Sequence, residues 1–139
     1  MRFINSKEMK VSVLPEQQKN LSSKEKIYKA CLDDNVLAFD IYKDNLLVGF
    51  VMVRKYDDGA YFLWDFAIDY KYQNQKIGYE ALVKFIDYMV NNYNLLEMTT
   101  TYIWGNNHAR YLYEKVGFIE TDIVEEPGCH EVNMIYRHI

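Results

Sequence analysis

Cysteine and proline are both scarce in this chain, two of each in 139 residues. Cys31 and Cys129 have no CxxC spacing and no histidine cluster beside them, so no tetrahedral metal site is expected and both read as reduced thiols. Pro15 and Pro127 sit in polar surroundings where turns belong. With no repeat, low-complexity tract or linker elsewhere, residues 1–139 read as one domain. Long apolar runs are missing too. No stretch approaches the roughly 18 apolar residues that span a bilayer, and "MRFINSKEMK" lacks the charged-then-apolar order of a signal peptide. A cytoplasmic protein without a membrane partner is therefore expected. Nor is there a basic surplus: a formal net charge of −4 leaves no electrostatic footprint for nucleic acid and suits a cationic ligand better than an anionic polymer.

Apolar and aromatic residues are abundant. Half of the chain is hydrophobic, which argues against disorder, and 139 residues suffice to bury one core. The thirteen tyrosines suit a lined cleft or a well-filled core with wet edges, and core filling is the expectation for most of them.

The periodicity orders the elements. Residues 16–32 are mixed and polar, with Ile27, Ala30 and Cys31 on one narrow apolar face of a short helix that starts at "SSKEK". "VLAFDIY" and "LLVGFVMVRKY", separated by "KDN", predict a hairpin, and "AYFLWDFAIDY" after "DDG" predicts a third antiparallel strand. Then the period changes. Ile77, Ala81, Leu82, Phe85, Ile86, Met89 and Val90 lay one apolar stripe on a helix ending near "NNYN". "LLEMTTTYI" is a strand after a helix, which predicts a crossover back beside residues 60–70. "GNN" opens a second helix with Ala109, Leu112, Tyr113 and Val116 inside and Gly117 as its stop. Two strands around "EEPG" complete an α+β (mixed α/β) domain.

Function enters at "YQNQKIG", residues 72–78, where a strand-derived loop runs into the first of these helices. The first N–H groups of a helix have no internal partner and lie at the positive end of its dipole, so such a corner can hold a phosphate through main-chain amides. On its own the signal is weak. It is joined by "NNHARYLYEKVGF", residues 106–118, which resembles the N-x-x-A-x-x-L-Y-x-x-x-G-F pattern of the GNAT superfamily of N-acetyltransferases through Asn106, Ala109, Leu112, Tyr113, Gly117 and Phe118. "YQNQKIG" stands where that family has "YQGKGIG", matching at Tyr72, Gln73, Ile77 and Gly78. The element order follows the family from about residue 36 onward, and "VLPEQQKNLSS" resembles the entry segment of bacterial spermine/spermidine N-acetyltransferases. The first strand and helix of the family are abbreviated here. Lys76 replaces a glycine; if that position takes a positive φ, its strain is on the order of 1 kcal/mol.

The resemblance implies a GNAT fold, a twisted, mostly antiparallel sheet whose central strands near 61–69 and 96–102 splay to admit acetyl-CoA as cosubstrate, without a metal. Gln73, Asn74, Gln75, Lys76, Ile77 and Gly78 would hold its pyrophosphate, and the main chain of Phe66, Ala67 and Ile68 would pair with its pantetheine arm. Asn106 would contact that arm, or simply cap its helix. Tyr113 would be the general acid for the departing thiolate. Asp65, inside the apolar strand "FLWDFAI", is the candidate to take the amine proton, although alternation leaves its face open. The implied reaction is direct acetyl transfer in a ternary complex to a small-molecule amine, a polyamine being favoured. Aminoglycoside-like amines, amino acids, protein N-termini and a non-catalytic binding domain are the alternatives, and a homodimer is expected from the family.

Overall fold

The computed structural model describes residues 1–73 and 76–138. Its elements run β1 (Arg2–Asn5), α1 (Pro15–Gln18), α2 (Lys24–Ala30), β2 (Val36–Lys43), β3 (Leu46–Asp57), β4 (Ala60–Ile68), a 3-10 turn (Tyr70–Tyr72), α3 (Ile77–Tyr93), β5 (Glu97–Ile103), α4 (Asn107–Val116), β6 (Ile119–Glu126) and β7 (Cys129–Arg137). The strands form one sheet in the order β1-β2-β3-β4-β5-β7-β6. Every neighbouring pair is antiparallel except β4 and β5, which run parallel as a crossover through α3 requires. The predicted mixed, mostly antiparallel architecture is the one observed.

Local chemistry explains the joints. Asp44 and Asn45, the two residues between β2 and β3, both have positive φ (51° and 67°), the primed turn that matches strand twist and that Asn and Asp tolerate. Ser23 caps α2 by accepting from the Lys26 N–H at 3.1 Å. Asn94 ends α3 in the left-handed conformation, its N–H returning to the Met89 carbonyl.

Helices cover both faces of the sheet. The stripe of α3 buries Ile77, Ala81, Leu82, Phe85, Ile86 and Met89 against Phe39, Ile41, Val51, Val53 and Leu63. Each of the larger of these side chains contributes about 1.5–3 kcal/mol by leaving water. On the opposite face Ile27 of α2 joins Met9, Val11, Phe50, Met52 and Ala67. The stripe of α4 differs from expectation: Ala109, Leu112, Tyr113 and Val116 pack on the core but are only half-buried, because α4 walls a cleft instead of closing a core.

Two irregularities make that cleft. On β4 the register to β3 shifts: Met52 opposes Asp65 but Val53 opposes Leu63, which leaves Trp64 as an extra, bulged residue. On its other side β4 pairs with β5 only at Ala60↔Glu97, Tyr61↔Met98 and Phe62↔Thr99. Beyond that third rung the two strands run on unpaired to Ile68 and Ile103, so the central strands splay as expected. At the far side of the sheet β6 is an edge strand with no buried residue.

Candidate active site

The parted strands open into a cleft of about 1060 Å³, walled by β4, β5, the start of α3, α4 and the α1–α2 segment. That is at the upper end of the range for small-molecule sites.

At the α3 corner Lys76 is the N-cap residue, with φ 62° and ψ 11°, and its side chain makes no capping bond. A lysine thus sits in the left-handed region that a glycine would occupy without strain. Among the described residues no side chain caps the N–H groups of this first turn. Gly78 lines the cleft, and among the described residues a methyl group built on it would meet only Ile68 Cγ1 at 3.8 Å and Leu112 Cδ2 at 4.0 Å. Packing within the protein therefore does not demand a glycine there, so the open space above it is left for a ligand. The Ile77 side chain is buried in the core, which leaves its main chain to face the corner. Asn74 and Gln75 lie outside the described residues.

The side chain of Gln73, expected beside the pyrophosphate, is engaged within the protein. Its Nε2 donates to the Ile68 carbonyl and to Gln17 Oε1, both at 2.9 Å, while Gln17 Nε2 donates back to Gln73 Oε1. The side chain ties the end of β4 to α1. Phe66, Ala67 and Ile68 pair with Val51, Phe50 and Gly49 of β3 on one side, while no strand among the described residues pairs with them on the cleft side.

Asp65 points into the cleft from the α2 side and is 3% exposed. Its Oδ1 accepts from the Ser22 N–H at 2.9 Å, and its Oδ2 is buried without a partner. An unpartnered carboxylate oxygen at the floor of a cleft is costly unless a cationic or hydrogen-bonding ligand meets it. Burial pushes the Asp65 carboxyl above the ordinary carboxylate range, against the Ser22 contacts and the Lys26 charge that lower it. Lys26 sits 5.8 Å from the Trp64 ring centroid, in the same wall.

Tyr113 enters from α4, its ring packed on Phe118 at 5.5 Å. Burial raises its pKa above that of an ordinary phenol, the Asp65 charge adds to the rise, and Thr100 opposes it. Tyr113 is thereby kept protonated, and Asp65 and Tyr113 feel each other across the gap between β4 and α4. Asn106 caps α4, its Oδ1 accepting from the Ala109 N–H at 3.2 Å, and also lines the cleft.

Sequence reasoning missed Ser22, Trp64, Lys26 and Thr100. Ser22 and Lys26 sat in a polar segment, and Thr100 read simply as β-branched strand content. The carboxylates Asp57, Asp58, Glu125 and Glu126 are not among the cleft's lining residues. Among the described residues that line it, Lys19, Lys26, Lys76 and Lys115 face Glu16, Asp65 and Glu131, so the cleft is close to neutral. No helix among the described residues is long and apolar enough to cross a membrane.

The model of the acetyltransferase (GNAT) family matches residues 6–118. No curated protein matches the chain in sequence. Among solved structures, a GNAT family acetyltransferase from Elizabethkingia anophelis with acetyl-CoA bound is similar at a TM-score of 0.73 and 19% identity, over 99% of this chain and 97% of that one. A Bacillus subtilis acetyltransferase in complex with CoA is similar at 0.72 and 14%, over 99% and 100%. The spermidine N-acetyltransferase SpeG of Vibrio cholerae, as its F149A mutant, is similar at 0.70 and 19%, over 82% of this chain and 72% of that one. At such identities the likeness is one of fold.

Proposed function

The chain belongs to the acetyltransferase (GNAT) family, and from that premise we propose that it transfers the acetyl group of acetyl-CoA to a primary amine of a small molecule, directly and in a ternary complex. The observation that carries this reading is the parting of β4 from β5 after Phe62↔Thr99, with an uncapped helix start at one end and a buried, half-unpartnered carboxylate beside it.

The residues present fit the cosubstrate. Main-chain N–H groups of the α3 first turn would receive a pyrophosphate over Gly78, and the free edge of residues 66–68 offers main-chain groups to an amide-bearing arm. Acetyl-CoA supplies an activated thioester. Asp65, through Oδ2, takes the proton that an alkylammonium must lose before its nitrogen can attack. Its raised pKa makes it a stronger base than an ordinary carboxylate. Tyr113, kept protonated by burial, gives a proton to the departing sulfur and is reprotonated through solvent by the second proton, which the nitrogen sheds after it attacks, so that one proton is released overall. Neither cysteine has the depressed pKa of an activated thiolate, since both thiols are shifted upward by burial, so a covalent enzyme intermediate is not part of the proposal.

A polyamine such as spermidine is the acceptor supported by the likeness to SpeG. A second reading rests on the α1–α2 side of the cleft, where, among the described lining residues, Lys19 and Lys26 stand with Glu16 and Asp65. Two lysines oppose a polycation and favour an amine that also carries a carboxylate, such as an amino acid. Thiol release from acetyl-CoA, assayed with spermidine, spermine, an aminoglycoside, amino acids and a peptide N-terminus, decides between them. No turnover with any primary amine overturns the proposal. A homodimer is carried as part of it, to be tested by light scattering.

A further inference from the structure

Asp65 shares its face of the sheet with residues from the far side of the gap. On β4 it opposes Met52, a member of the cluster under α2. On β5, Met98 and Tyr102 belong to the cluster under α3, so alternation turns Thr99, Thr101 and Ile103 to the Asp65 face. On β7, Asn133 opposes Thr101 and Glu131 opposes Ile103, and directly opposed residues of an antiparallel pair project on one side. Val132 and Met134 lie in the α3 cluster, as that parity requires.

This half of the face is bare. The cluster under α2 draws on β2, β3 and β4 and, among the described residues, on none from β5 or β7, and Ile103 is 45% exposed. Thr101, Ile103 and Glu131 all line the cleft. An acceptor whose nitrogen meets Asp65 Oδ2, buried and without a partner, therefore has an open path for the rest of its chain, across β5 toward Glu131. The opposite direction ends on the α1–α2 segment, where Ser22 holds Asp65 Oδ1 and where Lys19 and Lys26 stand. Glu131 is half-buried, and no lysine or arginine among the described residues forms an ion pair with it.

We propose that Glu131 receives a second cationic group of the acceptor, so that the site selects long diamines and polyamines by the span between their charged ends. The inference rests on the reading of Asp65 as the residue that takes the amine proton. In the strand order β4-β5-β7, two strand spacings set β7 about 10 Å from β4, and more where β4 and β5 part. The terminal nitrogens of spermidine lie roughly nine bonds apart, about 11 Å when extended at about 1.2 Å per bond. Diaminooctane has the same reach, whereas the second nitrogen of diaminopropane stops over β5. A carboxylate holds a primary ammonium by charge-assisted hydrogen bonds, which a neutral end cannot replace.

The competing account is that Glu131 is a solvated strand carboxylate without a ligand. Thiol release from acetyl-CoA separates the two when diaminooctane, aminooctanol and aminooctanoate, which share one length and differ in the charge of the far end, are compared with diaminopropane. Wild-type kcat/KM is expected to be about tenfold higher for diaminooctane than for aminooctanol or diaminopropane, the size of one hydrogen bond to a charged group, and lowest for aminooctanoate. The advantage should shrink as salt is raised. In Glu131→Gln the ratio of diaminooctane to aminooctanol should fall to about one, and in Glu131→Lys aminooctanoate should overtake diaminooctane. A merely structural role would scale all four acceptors alike. If Glu131→Gln does not fold, Glu131→Lys carries the test. Wild-type turnover that ignores the far charge overturns the inference without any variant, and so does a ratio that survives in Glu131→Gln. No turnover of these four while another primary amine is acetylated overturns the inference alone. No turnover of any primary amine overturns the proposed reaction and this inference with it.

Discussion

Gln73 and Gln17 exchange side-chain amides, each Nε2 donating to the other's Oε1 at 2.9 Å, across 56 positions of sequence. Gln17 Oε1 also accepts from the Leu14 N–H at 3.1 Å, and Gln73 Nε2 holds the Ile68 carbonyl. One pair of neutral side chains therefore joins α1, the end of β4 and the approach to α3. Gln73→Ala removes the pair and frees the Ile68 carbonyl, and should cost about 1–2 kcal/mol in urea denaturation. Gln17→Ala leaves that carbonyl held and should cost less.

Lys76 carries the strain of a left-handed residue at the start of α3. Lys76→Gly should stabilise the fold by about 1 kcal/mol, read as a higher melting temperature. If main-chain amides grip the pyrophosphate, the CoA dissociation constant from calorimetry should stay within about threefold, because a solvated charge contributes little. Loss of CoA binding in that variant would assign the grip to the lysine side chain.

Gly78→Ala separates packing from binding. The protein leaves ordinary contact distances around the added methyl group, so thermal stability should hold or rise by about 0.5–1 kcal/mol from the better helix propensity. Affinity for CoA should nevertheless fall about tenfold or more, since a misfit of roughly 1.4 kcal/mol at the phosphates suffices for that. Unchanged affinity would move the pyrophosphate elsewhere.

Asp65→Asn should trade activity for stability. Because burial raises the carboxyl's pKa in the fold, ionised Asp65 destabilises: the contribution of this group to stability is fully present below the ordinary carboxylate range and is lost as pH rises through the raised value. Asparagine still accepts from Ser22 but carries no charge. At neutral pH the variant should be more stable by on the order of 1 kcal/mol, the gap closing in acid, while kcat falls on the order of a hundredfold. Chemical denaturation across pH, beside the amine assay, reads both.

What the sequence reveals and what it hides follow from range. The α3 stripe, the Asn106 cap and the turn at Asp44 and Asn45 are set by neighbours a few residues away, and all were legible. The face of Asp65 was not, because the bulge at Trp64 swaps parity along β4: Tyr61 and Leu63 face the α3 cluster before it, Phe66 and Ile68 after it. Strict alternation cannot see an inserted residue. The Ser22 contact to Asp65 spans 43 positions, and no local pattern announces it. The left-handed Lys76 lay between, its strain being conditional on a φ that only the folded corner settles.

Along the outermost strand β6, Glu120, Asp122, Glu125 and Glu126 place four carboxylates on a backbone edge that has no neighbour. Two copies brought edge to edge there would set negative charge against negative charge, which guards the molecule against fibre-like growth at neutral pH. The charge on this rim therefore works against edge-to-edge strand pairing there.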